Sequence, residues 1–380
     1  MHFWLGTANL TLKQPGVTVR QSIPVCALKG KLWRIRRMHE RTLPFTLGSN
    51  PFTPPDWATI HAAHQLIRPW IHRTPVLTSA SIDQLVGAHV FFKCENLQKT
   101  GSFKIRGATN GVFSLSTQET ASGVVTHSSG NHGAAIARAA TWRGIPAWIV
   151  MPRNAPKVKI AAVESYGGRI TFCGPTVSSR SEVLAQVQHQ TGAALIHPYD
   201  DDRVIAGQAT AAKELLEDVP DLNAVLAPVS GGGLLSATCL SSRHLNSQVQ
   251  VFGCEPERAN DAYQSLQTGS LQKLESSDTI ADGLRASLAP RTFAILRRGL
   301  AGVLLVSEDE IISAMRLIWE RMKILVEPSA AVAFAPLLKL DSLAALGAAK
   351  GIDQASRKEV PQKIGVILTG GNVDLSALPF

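Results

Sequence analysis

Lys104 stands in a stretch of small and apolar residues, Thr100-Gly101-Ser102-Phe103-Lys104-Ile105-Arg106-Gly107-Ala108. A lysine in such surroundings can have a lowered pKa, and its neutral amine can form a Schiff base with a carbonyl compound. A single lysine is nearly always a solvated surface group, so this stretch alone carries little weight. The chemistry needs further groups elsewhere in the chain.

Three glycine-rich stretches supply such groups. They are His127-Ser128-Ser129-Gly130-Asn131-His132-Gly133, Ser230-Gly231-Gly232-Gly233 and Thr369-Gly370-Gly371-Asn372. In the second, successive backbone N–H groups can converge on an anion at the start of a helix, which suits a phosphate. It matches neither a P-loop nor a G-x-G-x-x-G dinucleotide fingerprint, and a simple flexible turn is the alternative. With a reactive lysine it indicates pyridoxal phosphate, which needs a lysine, a phosphate site and a partner for its pyridine nitrogen.

The elements that must position these turns alternate between strands and helices. Helical patterns are expected over 56–68, 134–143, 180–191 and 308–323, the last opened by a capping box of Ser307 and Glu310. Seven β-branched or apolar runs predict strands, at 90–92, 124–126, 147–150, 169–172, 224–226, 249–252 and 364–368. This alternation predicts an α/β fold with an open parallel sheet, in which ligands gather where strands end and helices begin.

The lysine stretch and the three turns, in this order, resemble the fold-type II pyridoxal-phosphate enzymes of the serine racemase and serine/threonine dehydratase family. The resemblance covers about residues 60–375. It implies an open, mostly parallel twisted sheet with a smaller inserted α/β domain. We therefore expect a large cofactor-binding domain from residues 53–121 and 201–380, a small domain from 122–200, and a basic N-terminal extension over 1–52.

The resemblance also implies roles for individual residues. Lys104 forms the Schiff base, with Phe103 beside the cofactor ring. Asn131 bonds the phenolic oxygen, and Thr369 faces the pyridine nitrogen with a hydroxyl. A neutral hydroxyl does not protonate that nitrogen, which suits rapid β-elimination or reprotonation. The phosphate is cradled by Ser230, Gly231, Gly232 and Gly233.

The substrate carboxylate is expected at the first glycine-rich stretch, where the resemblance implies contacts from Ser128, Ser129, Asn131 and His132. Ser129 is also the second catalytic candidate beside Lys104. In serine racemases the matching serine exchanges a proton on the cofactor face opposite the lysine. Racemisation needs acid–base groups on both faces of a planar carbanion, whereas elimination needs one. Ser129 therefore permits racemisation without proving it.

A cation site is expected at Glu255, the Ala259 carbonyl and Asp261. Oxygen donors of this kind suit Mg²⁺ or Ca²⁺. Spacing alone favours a pair of solvated acids, whereas the resemblance implies the divalent-cation site of the racemases. The nucleotide-binding Ser-Ser pair of the animal racemases is replaced here by Ser79-Ala80, which argues against activation by ATP, although Lys99 and Lys323 are kept.

The function that follows is a dehydratase for small β-hydroxy amino acids such as L-serine, L-threonine and threo-3-hydroxyaspartate, giving a 2-oxo acid and ammonia. Serine racemisation is the alternative activity, and a catalytically silent pyridoxal-phosphate-binding protein is the alternative outside enzymes. The resemblance further implies a homodimer whose small-molecule partner is an amino acid.

Composition and charge argue against nucleic-acid binding and against a membrane-spanning role. The net charge is +9, but residues 1–50 carry eight basic residues and one acid, which leaves a charge near +2 for the rest of the chain. A nucleic-acid-binding body therefore has no support. No apolar run reaches the roughly 18 residues of a membrane span. Five cysteines without C-x-x-C spacing indicate reduced thiols and a cytoplasmic protein, with organelle import through the basic segment as the alternative.

Overall fold

The computed structural model describes residues 52–128, 130–274, 277–339 and 362–380, together with the backbone of four strands nearer the N-terminus. The chain divides into two compact units, residues 1–51 and 52–380. In the first unit β1 (Gly6–Gln14) pairs antiparallel with β2 (Val17–Val25), and β3 (Ala27–Leu28) pairs antiparallel with β4 (Lys31–Leu32). An import function for this unit stays a prediction.

The second unit alternates strands and helices along the chain. Its strands are β5 (Val76–Leu77), β6 (His89–Cys94), β7 (Val124–His127), β8 (Ala147–Pro152), β9 (Arg169–Cys173), β10 (Ala194–Leu195), β11 (Ala224–Pro228), β12 (Gln250–Pro256), β13 (Gly302–Val306) and β14 (Lys363–Leu368). Its helices are α1 (Trp57–Ile67), α2 (Ala80–Val86), α3 (Lys104–Phe113), α4 (Asn131–Arg143), α5 (Lys157–Ser165), α6 (Val177–Thr191), α7 (Asp202–Asp218), α8 (Gly233–Leu245), α9 (Asp261–Thr268), α10 (Pro290–Gly299), α11 (Glu308–Met322) and α12 (Pro328–Ala331).

Two sheets organise this unit. The larger has the order β13-β12-β11-β14-β6-β5, and all its pairs are parallel except β5 with β6. The smaller has the order β10-β7-β8-β9 and is entirely parallel. The expected α/β fold with mostly parallel sheets is confirmed. Each of the seven expected strands overlaps a strand, whereas β5, β10 and β13 were not predicted.

Both sheets are covered on their two faces, because successive strand residues point to opposite sides. In β14, Val366 packs with α11 residues in one core, and Ile367 packs with α7 and α8 residues in another. In β7, Val124 packs with α4 and Val125 packs with α6. Because both faces of each sheet are covered, the ends of the parallel strands form the edge that stays accessible. The glycine-rich turns lie at these strand ends.

Helix starts follow the local sequence. Asp56 caps α1, where its Oδ1 accepts from the Thr59 backbone N–H at 2.8 Å. Ser307 and Glu310 form the expected capping box of α11: the Ser307 N–H donates to Glu310 Oε2 at 2.7 Å, and the Glu310 N–H donates to Ser307 Oγ at 3.4 Å. These caps satisfy backbone donors that the first helical turn leaves free.

The smaller sheet uses residues 124–195, and the larger one draws its strands from both sides of that segment. The division into a small domain at 122–200 and a large domain on its flanks stays a prediction. Within the described part of the chain, no helix has the length and hydropathy to cross a membrane. Four of the five cysteines are described there, and all four are free and buried: Cys94, Cys173, Cys239 and Cys254.

Candidate active site

Lys104 is the first residue of α3, and two short 3₁₀ turns, Glu95–Leu97 and Lys99–Gly101, lie between β6 and this helix. Its Nζ donates to the Pro198 carbonyl at 3.2 Å and lies 5.0 Å from the centroid of the Phe103 ring. Burial lowers the pKa of Lys104 to about 8, and the negative charge of Glu327 opposes this shift. A large fraction of the amine is therefore neutral at mildly alkaline pH, as a Schiff-base lysine requires.

The turn at residues 230–233 joins β11 to α8. Gly232 has φ +87°, a left-handed conformation that glycine adopts without strain. At Gly231 a Cβ would lie 2.4 Å from the Tyr199 ring, so only glycine fits beneath that ring. The Ser230 hydroxyl donates to the Ala286 carbonyl and accepts from the Ala286 N–H, both at 3.0 Å. An anion at this turn would therefore meet backbone N–H groups of α8 rather than the serine hydroxyl.

The last glycine-rich turn lies beside the lysine stretch. The Phe103 N–H donates to the Thr369 carbonyl at 3.0 Å, and Ser102 forms an isolated β-bridge with Gly370. Thr369 is buried at the end of β14. The structure thus brings the expected lysine, its aromatic neighbour and the expected pyridine partner to one edge of the larger sheet.

Asn131 begins α4 at the edge of the smaller sheet, and its amide contacts the larger-sheet region. Its Nδ2 donates to Glu327 Oε1 at 2.8 Å, and its Oδ1 accepts from Asn372 Nδ2 at 2.9 Å. Asn372 Nδ2 also donates to the Thr100 carbonyl at 2.8 Å. The first and third glycine-rich turns therefore meet next to the lysine stretch.

The expected carboxylate-binding loop opens the same helix. Ser128 Oγ accepts from the Gly130 N–H at 3.1 Å, and the buried His132 bonds the Ile196 carbonyl through Nε2 at 3.3 Å. Burial lowers the pKa of His132 well below its usual range, and the charge of Lys104 lowers it further. His132 is therefore neutral at pH 7. Ser129 lies outside the described residues.

Two more histidines line the same region. His127 and His197 meet edge to face with ring centroids 5.3 Å apart, and His197 meets the Tyr199 ring likewise at 4.7 Å. Burial lowers the pKa of His127 to about 4 and also lowers that of His197. Both are therefore neutral at pH 7. Lys104, with a pKa lowered to about 8, is thus a candidate base in this region.

The expected cation ligands lie between the end of β12 and the start of α9. Glu255 accepts from the Ala262 N–H at 3.0 Å and from the Tyr263 N–H at 2.9 Å, and Asp261 accepts from the Leu288 N–H at 2.9 Å. Burial raises the pKa of Glu255 well above its usual range, and the charge of Asp261 adds to the shift. Burial also raises the pKa of Asp261 to about 6. A cation beside these two enclosed carboxylates would offset the cost of burying their charge.

Ala259 is buried in the short 3₁₀ turn Glu257–Ala259 between these two acids. Two carboxylates and a carbonyl would suit a hard ion, and a cation site at these residues stays a prediction. No cluster of three or more His, Cys, Asp or Glu side chains in the described ranges could hold a metal.

Comparison with known proteins decides the family. The family model described as "Pyridoxal-phosphate dependent enzyme" matches residues 67–370. The chain belongs to this family. It is 47% identical over 321 residues to the serine racemase of Dictyostelium discoideum, which covers 84% of this chain and 95% of that protein. It is 46% identical over 326 residues to the β-hydroxyaspartate dehydratase of Paracoccus denitrificans, which covers 86% of this chain and 99% of that protein.

Solved structures agree with this assignment. Maize serine racemase superposes with a TM-score of 0.80 at 44% identity, covering 85% of this chain and 95% of that one. The T.th. threonine deaminase superposes with a TM-score of 0.77 at 41% identity, covering 85% of this chain and 100% of that one. The fold expected from the motifs, that of fold-type II pyridoxal-phosphate enzymes, is therefore confirmed.

Unpartnered polar atoms around Lys104 fit a polar cofactor of this kind. Ser102 Oγ, His132 Nδ1 and both amide atoms of Gln208 are buried and have no hydrogen-bond partner among the described residues. Gln208 lies beside the glycine turn, since a Cβ at Gly233 would be 2.7 Å from its Oε1. Buried polar groups are rarely left unsatisfied in folded proteins, so these atoms mark the space where a ligand or water is bound.

Sequence reasoning missed several residues that the fold brings to this enzyme's site. They are Lys159, His197, Tyr199, Gln208 and Glu327. His197 and Tyr199 stand in the segment between β10 and α7, and a polar segment at a strand end is a signal that could have drawn attention to them. For Glu327 and Lys159 no such signal exists, because a lone acid and a lone lysine are usually solvated.

Proposed function

We propose that this pyridoxal-phosphate enzyme is a dehydratase that converts small β-hydroxy amino acids to 2-oxo acids and ammonia. The observation that carries the proposal is the Lys104 amine, whose pKa is lowered to about 8 by burial where two of the glycine-rich turns meet the lysine stretch. L-Serine, L-threonine and L-threo-3-hydroxyaspartate are the substrates we expect. Relatives named serine racemase, β-hydroxyaspartate dehydratase and L-threo-3-hydroxyaspartate ammonia-lyase support this class.

Each part of the site has one task in this proposal. Pyridoxal phosphate, when bound, supplies the electron sink that lets an amino acid lose its α-proton. Lys104 would hold the cofactor and then accept that proton at Nζ. The backbone N–H groups at 231–233 would bind the phosphate, and the Thr369 hydroxyl would face the pyridine nitrogen. Phe103 would pack beside the ring and Asn131 would orient it.

The substrate would be held by its carboxylate at residues 128–132. This loop opens α4, a helix of 13 residues, so its first N–H groups and its dipole favour an anion. The neutral His132 adds no competing positive charge deep in the site. Loss of the β-hydroxyl as water, followed by addition of water and release of ammonia, gives the 2-oxo acid. One base, Lys104, is enough for that sequence.

Serine racemisation is the second candidate function. It is favoured by the serine at position 129 and by the relatives named serine racemase. In that case Ser129 would exchange a proton on the face opposite Lys104. Both activities can share one site, because both begin with loss of the α-proton and then differ in whether the β-hydroxyl leaves or a proton returns on the opposite face.

Three further assignments belong to the same proposal. Mg²⁺ or Ca²⁺ would bind Glu255, the Ala259 carbonyl and Asp261. The raised pKa values of the two carboxyl groups support this assignment, because a cation would compensate their buried charges. The active form would be a homodimer that does not respond to ATP. The protein would act in the cytoplasm.

A dual assay tests the proposal. Purified, cofactor-loaded protein with Mg²⁺ is given L-serine, L-threonine or L-threo-3-hydroxyaspartate, and 2-oxo acid and D-serine are both followed. We expect oxo acid with little D-serine. Predominant D-serine would make the protein a racemase, and cofactor absorbance without turnover would make it a silent binding protein.

Two variants identify the groups that act. Lys104→Ala should lose the absorbance of lysine-bound cofactor and all turnover, whereas Lys157→Ala, at an exposed lysine, should lose neither. Turnover in Lys104→Ala would overturn the assignment of the base. Ser129→Ala should remove racemisation and spare elimination from L-serine. Equal loss of both activities would give Ser129 a binding role instead.

A further inference from the structure

Glu327 is a buried carboxylate that no step of the proposed reaction uses. It directly precedes α12, its side chain is 3% exposed, and its backbone N–H donates to the Gly370 carbonyl at 3.0 Å. Oε1 accepts from Asn131 Nδ2 at 2.8 Å. Oε2 is buried with no hydrogen-bond partner among the described residues. A carboxylate enclosed in this way is costly, so a compensating charge must lie close by.

That charge is Lys159 on α5, which flanks the smaller sheet. Its Nζ lies 3.9 Å from Glu327 Oε2 and also pairs with Asp282. The lysine stem packs against the carboxylate-binding loop, because a Cβ at Gly130 would lie 2.4 Å from Lys159 Cδ. Lys159 therefore lies between this loop and Glu327.

We propose that Glu327 is a positioning residue: it fixes the orientation of the Asn131 amide toward the cofactor, and Lys159 favours the ionised form of Glu327 that this task needs. The inference rests on the cofactor dependence in the proposed function. It adds two residues to which neither the motifs nor the resemblance assigned a role.

The orientation follows from donors and acceptors. An ionised carboxylate only accepts, so Asn131 must turn its NH₂ group toward Glu327. On the other side Asn372 Nδ2 donates to Asn131 Oδ1, which fixes the same orientation. The amide nitrogen carries two N–H bonds, and the one not given to Glu327 is free to donate to the cofactor's phenolic oxygen. A neutral glutamine at 327 can donate or accept, so it would not impose this orientation.

Electrostatics link the same carboxylate to Lys104. The charged groups that face Glu327 are Lys159, Asp282 and Lys104, and Arg285 acts on Lys159. Burial raises the pKa of Glu327 to about 7, and Lys159 opposes this rise. Once ionised, Glu327 raises the pKa of Lys104 against the effect of burial. Removing the charge at 327 should therefore lower the pKa of Lys104 and make its amine neutral at a lower pH.

The test uses apoprotein and pyridoxal phosphate, with no turnover. Cofactor affinity and association rate are measured from pH 6 to 9.5, because association needs the neutral amine of Lys104. Glu327→Gln should weaken binding about tenfold through loss of the imposed hydrogen-bond orientation. It should also shift the pH profile of the association rate to lower pH.

Lys159→Met tests the second half of the inference, with Lys157→Met on the same helix as the exposed control. Without Lys159 the pKa of Glu327 rises, so near pH 7 the variant should bind the cofactor as weakly as Glu327→Gln. Its deficit should shrink as the pH rises and Glu327 ionises, whereas the Glu327→Gln deficit should not. The double variant should be no weaker than Glu327→Gln, since both act through one contact. Lys157→Met should behave as wild type.

Wild-type affinity and an unchanged pH profile in Glu327→Gln would overturn the inference. A pH-independent deficit in Lys159→Met would overturn the role of the lysine. Glutamine keeps the size of the side chain, and Lys159 keeps its pairing with Asp282, so the variant should fold; thermal unfolding of the apoprotein measures the stability that is lost with the buried charge. If Glu327→Gln fails to fold, the pH dependence of Lys159→Met decides the question. A wild-type protein without a Lys104-dependent absorbance band would overturn the proposed function and this inference together, whereas a normal band with unchanged variants overturns the inference alone.

Discussion

Replacing Arg106 by methionine should destabilise the fold strongly, because Arg106, on the same helix as Lys104, completes a buried ion network. Its guanidinium donates to both oxygens of Glu95, at 2.7 and 2.8 Å, and to both oxygens of Glu214, at 2.9 and 2.8 Å. Lys93 Nζ donates to Glu214 Oε2 at 2.7 Å. All four side chains are almost fully inaccessible, so the two cations and two anions have little help from water.

The size of the effect follows from this balance of charge. Removing Arg106 leaves two buried carboxylates facing one lysine, and removal of one partner from a buried pair costs about 3–5 kcal/mol. The unit that contains the network has about 330 residues, so its unfolding entropy is about 0.7 kcal/mol per degree. The melting temperature of Arg106→Met should therefore fall by about 4–7 °C.

The pKa of Glu214 predicts in which direction the stability deficit of Arg106→Met changes with pH. Burial alone would raise the pKa of Glu214, but the His64 hydrogen bond and the charge of Arg106 outweigh it and leave that pKa below its usual range. In the wild type this carboxylate therefore contributes stability above its ordinary pKa, and the contribution is lost only in strong acid. Without Arg106 its pKa rises, and the deficit of Arg106→Met should shrink as the pH falls from about 8 to about 5.

Thermal and urea unfolding of the apoprotein measure this deficit. The matched control is Arg73→Met: Arg73 pairs with Glu217 and Asp218 on the same helix, α7, but its side chain is 49% exposed. Each exposed pair contributes at most about 1 kcal/mol, so loss of both pairs should lower the melting temperature by no more than about 3 °C. Equal effects of the two substitutions, or an Arg106→Met deficit that does not change with pH, would refute the reasoning.

Three further outcomes follow from the site. Gly231→Ala should lower cofactor affinity at least tenfold, because the added Cβ would lie 2.4 Å from the Tyr199 ring. The control Gly302→Ala, whose Cβ would lie 3.7 Å from its nearest neighbour, should bind the cofactor as wild type does in the same titration. Ser230→Ala should cost about 1–3 kcal/mol in urea unfolding by leaving both backbone groups of Ala286 without their partner, while phosphate affinity stays near wild type. Without a divalent cation, the free energy of unfolding of the wild type relative to Asp261→Asn should fall as the pH rises from about 4 to about 6, because the folded pKa of Asp261 is raised to about 6. Mg²⁺ should restore this free energy at pH 7. No response to Mg²⁺ would argue against the cation site.

The sequence predicted the features that a local pattern encodes. Strand runs such as 224–226, the capping box at Ser307 and the glycine-rich turns all depend on residues close together in the chain, and the structure contains each of them. Short strands were missed: β10 has two residues, and its pairing with β7 is decided by the sheet rather than by its own sequence. Lys104 could be identified from the sequence as the candidate Schiff-base lysine, because its motif is recognisable as a whole.

Groups that act through distant partners could not be predicted. Arg106 stands in the lysine motif, yet its partners Glu95 and Glu214 lie 11 and 108 positions away. Glu327 meets Asn131 across 196 positions. A single sequence shows neither that such residues are buried nor that their charges meet, because burial and pairing are decided by tertiary packing. Ser129 and the domain boundaries stay predictions.

The position of β14 determines when this enzyme can fold. This strand pairs with β11 on one side and with β6 on the other, so it lies inside the larger sheet although it is the last of the described strands in chain order. During synthesis the smaller sheet has all its strands once residue 195 has left the ribosome. Until β14 is available, β6 and β11 each have an unpaired edge, and such edges are prone to pair with other chains. The edge at which Thr369 meets the lysine stretch, directly after β14, therefore cannot form until residue 369 has left the ribosome.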